Sequence, residues 1–79
     1  MTIQVRWAAA FGAYEGAVDG ELEFGKSEAV TPRSITLAAG FTDADRFVVQ
    51  AFVHGKLVTM DTPLADGHEL LFDFNIHAG

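Results

Sequence analysis

His68-Glu-Leu-Leu-Phe-Asp-Phe-Asn-Ile-His-Ala-Gly79 is the stretch that decides the fold of this chain. Its first part alternates apolar and polar residues, which is typical of a strand with one buried face. The alternation predicts a strand over residues 68–74 with Leu70, Phe72 and Phe74 facing inward. We expect residues 75–79 to form a flexible tail, because they lack this alternation and are mostly small or polar. The tail ends at a glycine, so the carboxylate of that glycine is the first candidate functional group.

The remainder of the chain predicts four more strands and one helix. The helix begins at Thr31 and Pro32, since threonine caps free amides and proline suits the first helical position. It ends at Gly40, a common C-terminal residue of helices. The strands are expected at residues 2–8, 21–24, 46–53 and 56–60, with a His54-Gly55 turn between the last two.

This order predicts one α+β domain over residues 1–79, a mixed sheet of about five strands with the helix on one face. The first and last strands are rich in apolar residues, so we expect them to be neighbours at the sheet centre. The strand at 46–53 is also expected to be central. Phe11 and Tyr14, in the crossover after the first strand, are expected to pack on the core, and Leu22 and Phe24 to face inward.

The less buried face of the sheet is predicted to bind partners. In the strand at 46–53, Gln50 shares a face with Val48 and Phe52, so this face is expected to be the more exposed one. Leu71 points the same way from the last strand. These three apolar residues form a candidate partner-binding patch, to which we add Phe74; the alternative is that curvature of the sheet partly covers them.

Composition limits the partners and the compartment. The chain has 79 residues, 11 acidic and 5 basic, with a formal charge of −6 and no cysteine. The negative charge argues against nucleic-acid binding, because phosphate backbones are repelled. It suits basic protein partners, or serves only solubility. No apolar run reaches the roughly 20 residues of a membrane helix, and no leader is evident, so we expect a cytoplasmic protein that binds no membrane.

The histidines and serines do not predict a catalytic or metal site. His54, His68 and His77 lack the short paired spacing that metal sites use, so surface positions are expected. Ser27 and Ser34 lack the glycine-flanked setting of a nucleophile. The chain is therefore predicted to bind no metal.

Three features together resemble the ubiquitin-like β-grasp sulfur carriers: Val-His-Gly-Lys-Leu-Val58, Thr62-Pro-Leu-Ala-Asp-Gly67 and a final strand that leads to a terminal glycine. This family includes the small subunit of molybdopterin synthase and the carrier of thiamin thiazole synthesis. The similarity covers essentially the whole chain. It implies a β-grasp roll, with Ile76 at the apolar position before the tail and Gly79 at the reacting end.

The resemblance also implies a function and its partners. A ubiquitin-activating-type adenylating enzyme would use ATP to activate the Gly79 carboxylate, which would then become a thiocarboxylate. A sulfur-accepting synthase subunit would receive the sulfur, with molybdopterin (molybdenum cofactor) biosynthesis ranked ahead of thiazole synthesis. The carrier itself would not be an enzyme and would bind no cofactor; the alternative is the non-catalytic small subunit of a sulfur-transferase complex such as molybdopterin synthase.

The tail departs from the family pattern at one important position. Ala78 replaces the first glycine of the usual terminal pair, and His77 precedes it. An extended backbone accepts alanine without penalty, but a narrow enzyme channel has less room for its methyl group. The alternative is therefore a β-grasp interaction module that is not a carrier, or a ubiquitin-like modifier with an altered tail.

Overall fold

The computed structural model describes residues 1–42 and 48–74. It contains five strands, a short 3-10 helix and an α-helix, in the predicted order. The 3-10 helix follows the first strand, and the α-helix joins the second strand to the third. Their bounds are β1 Thr2–Trp7, the 3-10 helix Ala9–Phe11, β2 Gly20–Glu23, α1 Pro32–Ala38, β3 Val49–Val53, β4 Lys56–Val58 and β5 Glu69–Phe74.

The five strands form one mixed sheet in the order β2-β1-β5-β3-β4. β1 and β5 are parallel, with Val5 opposite Leu70, whereas the β1–β2, β3–β5 and β3–β4 pairs are antiparallel. The prediction of an α+β fold with adjacent first and last strands is confirmed. β5 lies in the middle of the sheet, between β1 and β3, so all three strands predicted to be central lack a free edge.

One face of the sheet carries the core. β1 buries Ile3, Val5 and Trp7, and β5 buries Leu70 and Phe72, all at 9% exposure or less. Ring packing is dense on this inner face. The closest ring pairs are Phe11–Phe74, with centroids 4.1 Å apart, and Trp7–Phe72, at 4.4 Å.

Helix α1 covers the inner face and is capped as its sequence predicts. The Oγ1 of Thr31 accepts the Ser34 N–H at 3.2 Å, and the Oγ of Ser34 accepts the Thr31 N–H at 3.0 Å. Ile35 is buried against the core. Gly40 follows the helix with φ of 100°, a conformation that glycine adopts without strain.

Three details differ from the sequence predictions. The third strand begins at Val49, while positions 46 and 47 lie outside the described residues. Leu22 does face inward, opposite Ile3, but remains 39% exposed because β2 is an edge strand with a neighbour on one side only. Tyr14 is 49% exposed, although its ring stacks on Phe41 at 5.1 Å.

No helix in residues 1–42 and 48–74 is long and apolar enough to cross a bilayer.

Candidate functional site

The outer face of the sheet, which faces away from α1, carries a continuous row of side chains across four strands. Arg6 lies opposite Leu71 in the β1–β5 register, and Leu71 lies opposite Phe52 in the β5–β3 register. Phe52 in turn lies opposite Leu57 on β4. We call these four residues the outer row. Its members are half-buried or exposed, with Leu71 at 39% and Leu57 at 62% exposure.

A shallow depression of about 370 Å³ lies at three members of this row, Arg6, Leu71 and Phe52. Its floor includes Phe52 and Leu71, and Arg6 and Glu69 contribute one charge of each sign to its lining. Apolar residues with a charged border are common where proteins bind one another. The depression therefore suits the recognition of a protein surface.

The turn at one end of the row is tightly defined. His54 has φ of 50° and Gly55 has φ of 81°, which are the two positive angles of a type I′ hairpin turn. The His54 N–H donates to the Glu69 carbonyl oxygen at 3.1 Å, so the turn also continues the ladder to β5. The sequence prediction of a His54-Gly55 hairpin is confirmed.

Two histidine rings meet beside this turn. The His54 and His68 ring centroids are 5.6 Å apart, in an edge-to-face arrangement. The Nδ1 of His68 accepts the Ala65 N–H at 3.0 Å, so the neutral ring carries its proton on Nε2. In the part of the chain that the structure describes, no three His, Asp or Glu side chains are grouped as a metal site would require.

The four predicted partner-binding residues divide between the two faces. Phe52 and Leu71 are cross-strand partners on the outer face, and Val48, immediately before β3, is 46% exposed. Phe74 is on the inner face, where its ring stacks on Phe11 at 4.1 Å. The structure thus brings Phe52 and Leu71 together, and it separates Phe74 from them. The role of all four residues in binding a partner stays a prediction.

The predicted tail residues Ile76, His77, Ala78 and Gly79 lie outside the described residues. The described part of β5 ends at Phe74, which lies opposite Val49 in the sheet. The last described residue, Phe74, is thus at the end of the central strand, beside the strand that Val48 precedes.

Sequence reasoning missed two members of the outer row, Arg6 and Leu57. Leu57 was predictable from the turn, because a two-residue hairpin places Val53 opposite Lys56 and Phe52 opposite Leu57. Arg6 required the direction and register of the β1–β5 pair, because the expectation that these strands are neighbours does not say which residues lie opposite each other. That information comes from contacts between distant parts of the chain.

The comparisons with known proteins leave the chain without an identified relative. No family model matches the sequence, and no curated protein or solved structure matches it.

Proposed function

We propose that this chain is a β-grasp sulfur carrier that is activated at the carboxylate of Gly79. The observation that carries the proposal is the strand order β2-β1-β5-β3-β4, with a parallel central pair and the helix between β2 and β3. A mixed sheet of five strands with one α-helix agrees with the roll that the resemblance to the β-grasp carriers implies. The last described residue, Phe74, lies at the end of the central strand β5.

Activation would proceed in two steps at the terminal carboxylate. An oxygen of the Gly79 carboxylate attacks the α-phosphate of ATP in the adenylating partner, and pyrophosphate leaves. Hydrosulfide (HS⁻) supplied by a donor then attacks the acyl carbon of the adenylate, AMP leaves, and loss of the S–H proton gives the Gly79 thiocarboxylate. Glycine leaves the reacting carbonyl accessible because it has no Cβ.

The folded domain would contribute recognition in this mechanism. The outer row, with Leu71 and Phe52 at its centre, provides an apolar surface that the adenylating enzyme and the sulfur-accepting subunit would use in turn. Because both partners would bind the same surface, the carrier would dissociate from the adenylating enzyme before it binds the sulfur-accepting subunit. Molybdopterin biosynthesis is the proposed destination of the sulfur, on the resemblance alone.

The second candidate is an interaction module or ubiquitin-like modifier with the same domain. Ala78 favours it, because this residue adds a methyl group next to the reacting end. The exposed outer row is equally consistent with a module that binds a partner and is never activated.

The test is activation of the intact protein by adenylating enzymes of this type. The chain is co-expressed with each enzyme and a sulfur donor, and its intact mass is measured. We expect the mass to rise by the difference between sulfur and oxygen, with the change localised to Gly79 by fragmentation. Activation also requires that the native protein ends with a free carboxylate at Gly79. The intact mass checks this requirement.

Three variants make the test specific. Deletion of Gly79 is expected to abolish the mass shift, and Ala78→Gly to preserve or increase it. Leu71→Asp is expected to reduce it, because a carboxylate on the outer row disfavours an apolar partner. Binding to the enzymes without any adenylation would contradict the carrier and favour the interaction module, and conjugates of higher mass would favour the modifier.

A further inference from the structure

The edge strand β2 offers unpaired backbone groups to solvent. Met1 and Phe24 exchange hydrogen bonds, with their N–H groups donating to the opposite carbonyl oxygens at 2.9 and 2.8 Å. Bonded and non-bonded pairs alternate in an antiparallel ladder. The N–H and C=O groups of Glu21 and Glu23 therefore point away from β1, toward the free edge.

An apolar groove of about 310 Å³ runs beneath this edge, between β2 and α1. Leu22 from β2 and Ala38 from α1 are on its two sides, and both are exposed. Trp7 and Ile35 contribute buried side chains to its lining. A strand that pairs with this free edge would direct its inward-facing side chains into the groove.

The groove is bordered by a close contact between the loop before β2 and the end of α1. A Cβ placed on Gly16 would lie 1.6 Å from the Ala39 carbonyl oxygen, so only glycine allows this approach. Nearby, the Asp19 carboxylate accepts the Trp7 N–H at 2.8 Å and ends the β1–β2 ladder. Both contacts hold the boundary of the groove in place.

The opposite side of the β2 edge is acidic. Glu21 and Glu23 alternate with Leu22, so their exposed side chains lie on the outer face. Their cross-strand partners on β1 are the uncharged Gln4 and Thr2. Across residues 1–42 and 48–74, neither carboxylate takes part in an ion pair.

We propose that the β2 edge binds an extended segment of a partner protein in which basic and apolar residues alternate. The segment adds as a sixth strand, and its backbone bonds to the outward groups of Glu21 and Glu23. Its apolar side chains enter the groove beside Leu22, and its Lys or Arg side chains pair with the two carboxylates. A second copy of this chain is disfavoured, since like charges on paired edges repel.

This inference does not depend on the proposed carrier function, because it uses neither the tail nor the outer row. The other edge of the sheet provides an internal comparison. β4 begins at Lys56, which is exposed and has the opposite charge. A basic segment is therefore expected to select β2 over β4.

The probe is the peptide acetyl-Lys-Val-Lys-Val-Lys-Val-amide, added to the full chain and followed by nitrogen–proton correlation spectra. We expect saturable shifts at the amides of Gly20–Glu23 and at residues that line the groove, and weaker binding as salt screens the ion pairs. The control peptides are acetyl-Glu-Val-Glu-Val-Glu-Val-amide and the reordered acetyl-Lys-Lys-Lys-Val-Val-Val-amide. Equal binding of either control, shifts centred on β4 or the outer row, or no saturable binding would overturn the proposal.

Variants separate the charge contribution from the backbone contribution. Glu21→Gln and Glu23→Gln are each expected to weaken binding by about twofold to fivefold, as exposed ion pairs do. Glu28→Gln removes the same charge from the loop after β2 and is expected to have no effect. Equal losses in all three variants would overturn the pairing with the β2 carboxylates.

Glu23→Pro removes an outward N–H without removing a bond to β1, because prolines are tolerated on the free side of edge strands. It is expected to weaken binding more than Glu23→Gln does, while the spectrum away from β2 is retained. If the two variants bind the peptide equally, strand addition is wrong. If Glu23→Pro fails to fold, the same comparison is made with a peptide that is N-methylated at alternate amides.

Discussion

The two faces of β5 differ although they belong to one strand. Leu70 and Phe72 face α1 and are at most 1% exposed, whereas Leu71 between them is 39% exposed on the outer face. The inner residues belong to the single core cluster, and the outer residue belongs to the row that crosses four strands. The difference indicates that the inner face determines stability, while the outer face remains exposed.

Phe72→Ala is expected to produce the largest loss of stability. Truncation of a fully buried phenylalanine costs about 3–5 kcal/mol, because it loses apolar contact and leaves a cavity. The neighbouring Leu71→Ala removes an exposed side chain and is expected to cost less than about 1 kcal/mol. The measurement is the free energy of unfolding in urea, followed by Trp7 fluorescence. Equal losses would contradict the division between the two faces.

If Phe72→Ala does not fold, Phe72→Leu replaces it in the comparison with Leu71→Ala. It retains an apolar side chain at the same site, so a smaller but measurable loss is expected. A loss no greater than that of Leu71→Ala would also contradict the division.

Gly16→Ala tests the contact between the loop before β2 and the end of α1, the helix that covers the inner face. The added methyl group would collide with the Ala39 carbonyl oxygen, so the loop or the helix end must move, at a cost of about 1–3 kcal/mol. Gly25→Ala is the control, since its methyl group would meet only the Glu28 side chain at 3.5 Å. Thermal unfolding of both variants measures the difference, and a Gly16→Ala protein as stable as the control would refute the close contact.

Thr31→Ala tests the cap of the helix that covers the inner face. The loss of the hydrogen bond to the Ser34 N–H is expected to cost about 1 kcal/mol. Thr31→Ser retains the hydroxyl group and is expected to restore most of the stability. Urea unfolding measures both, and similar losses in the two variants would show that the hydroxyl is not responsible.

Leu57→Gln on the outer row is expected to have the smallest effect on stability. Its side chain is 62% exposed, so the free energy of unfolding should change by no more than about 0.5 kcal/mol. Binding of the adenylating partner should nevertheless weaken if the outer row is its contact surface. A large loss of stability would mean that the outer face also supports the fold.

Local signals predicted much of the secondary structure. Thr31, Pro32 and Gly40 defined the helix, because caps and preferred dihedral angles act within a few residues. The His54-Gly55 pair predicted the hairpin for the same reason, and alternation predicted the buried face of β5. Part of the candidate site, Phe52 and Leu71, also followed from alternation.

Other features of the fold depend on contacts between distant segments, which local sequence signals do not predict. The parallel pairing of β1 with β5 places Arg6 opposite Leu71, and the pairing of β3 with β5 completes the row. The exposure of Leu22 depends on β2 being an edge strand, which alternation alone does not reveal. The approach of Gly16 to Ala39 likewise joins segments that are far apart in the chain.

The sequence by itself determined the element types, their order, the cap and the hairpin turn, because these depend on backbone preferences and on neighbours within a few residues. It also predicted the Gly79 chemistry by resemblance. Only the tertiary structure decided the direction and register of the strand pairs and the exposure of edge residues such as Leu22. It also confirmed that Phe74 faces the core, as alternation predicted, and so separated it from the outer row. The reason is physical: burial depends on what packs against a residue, and that partner is often a distant part of the chain.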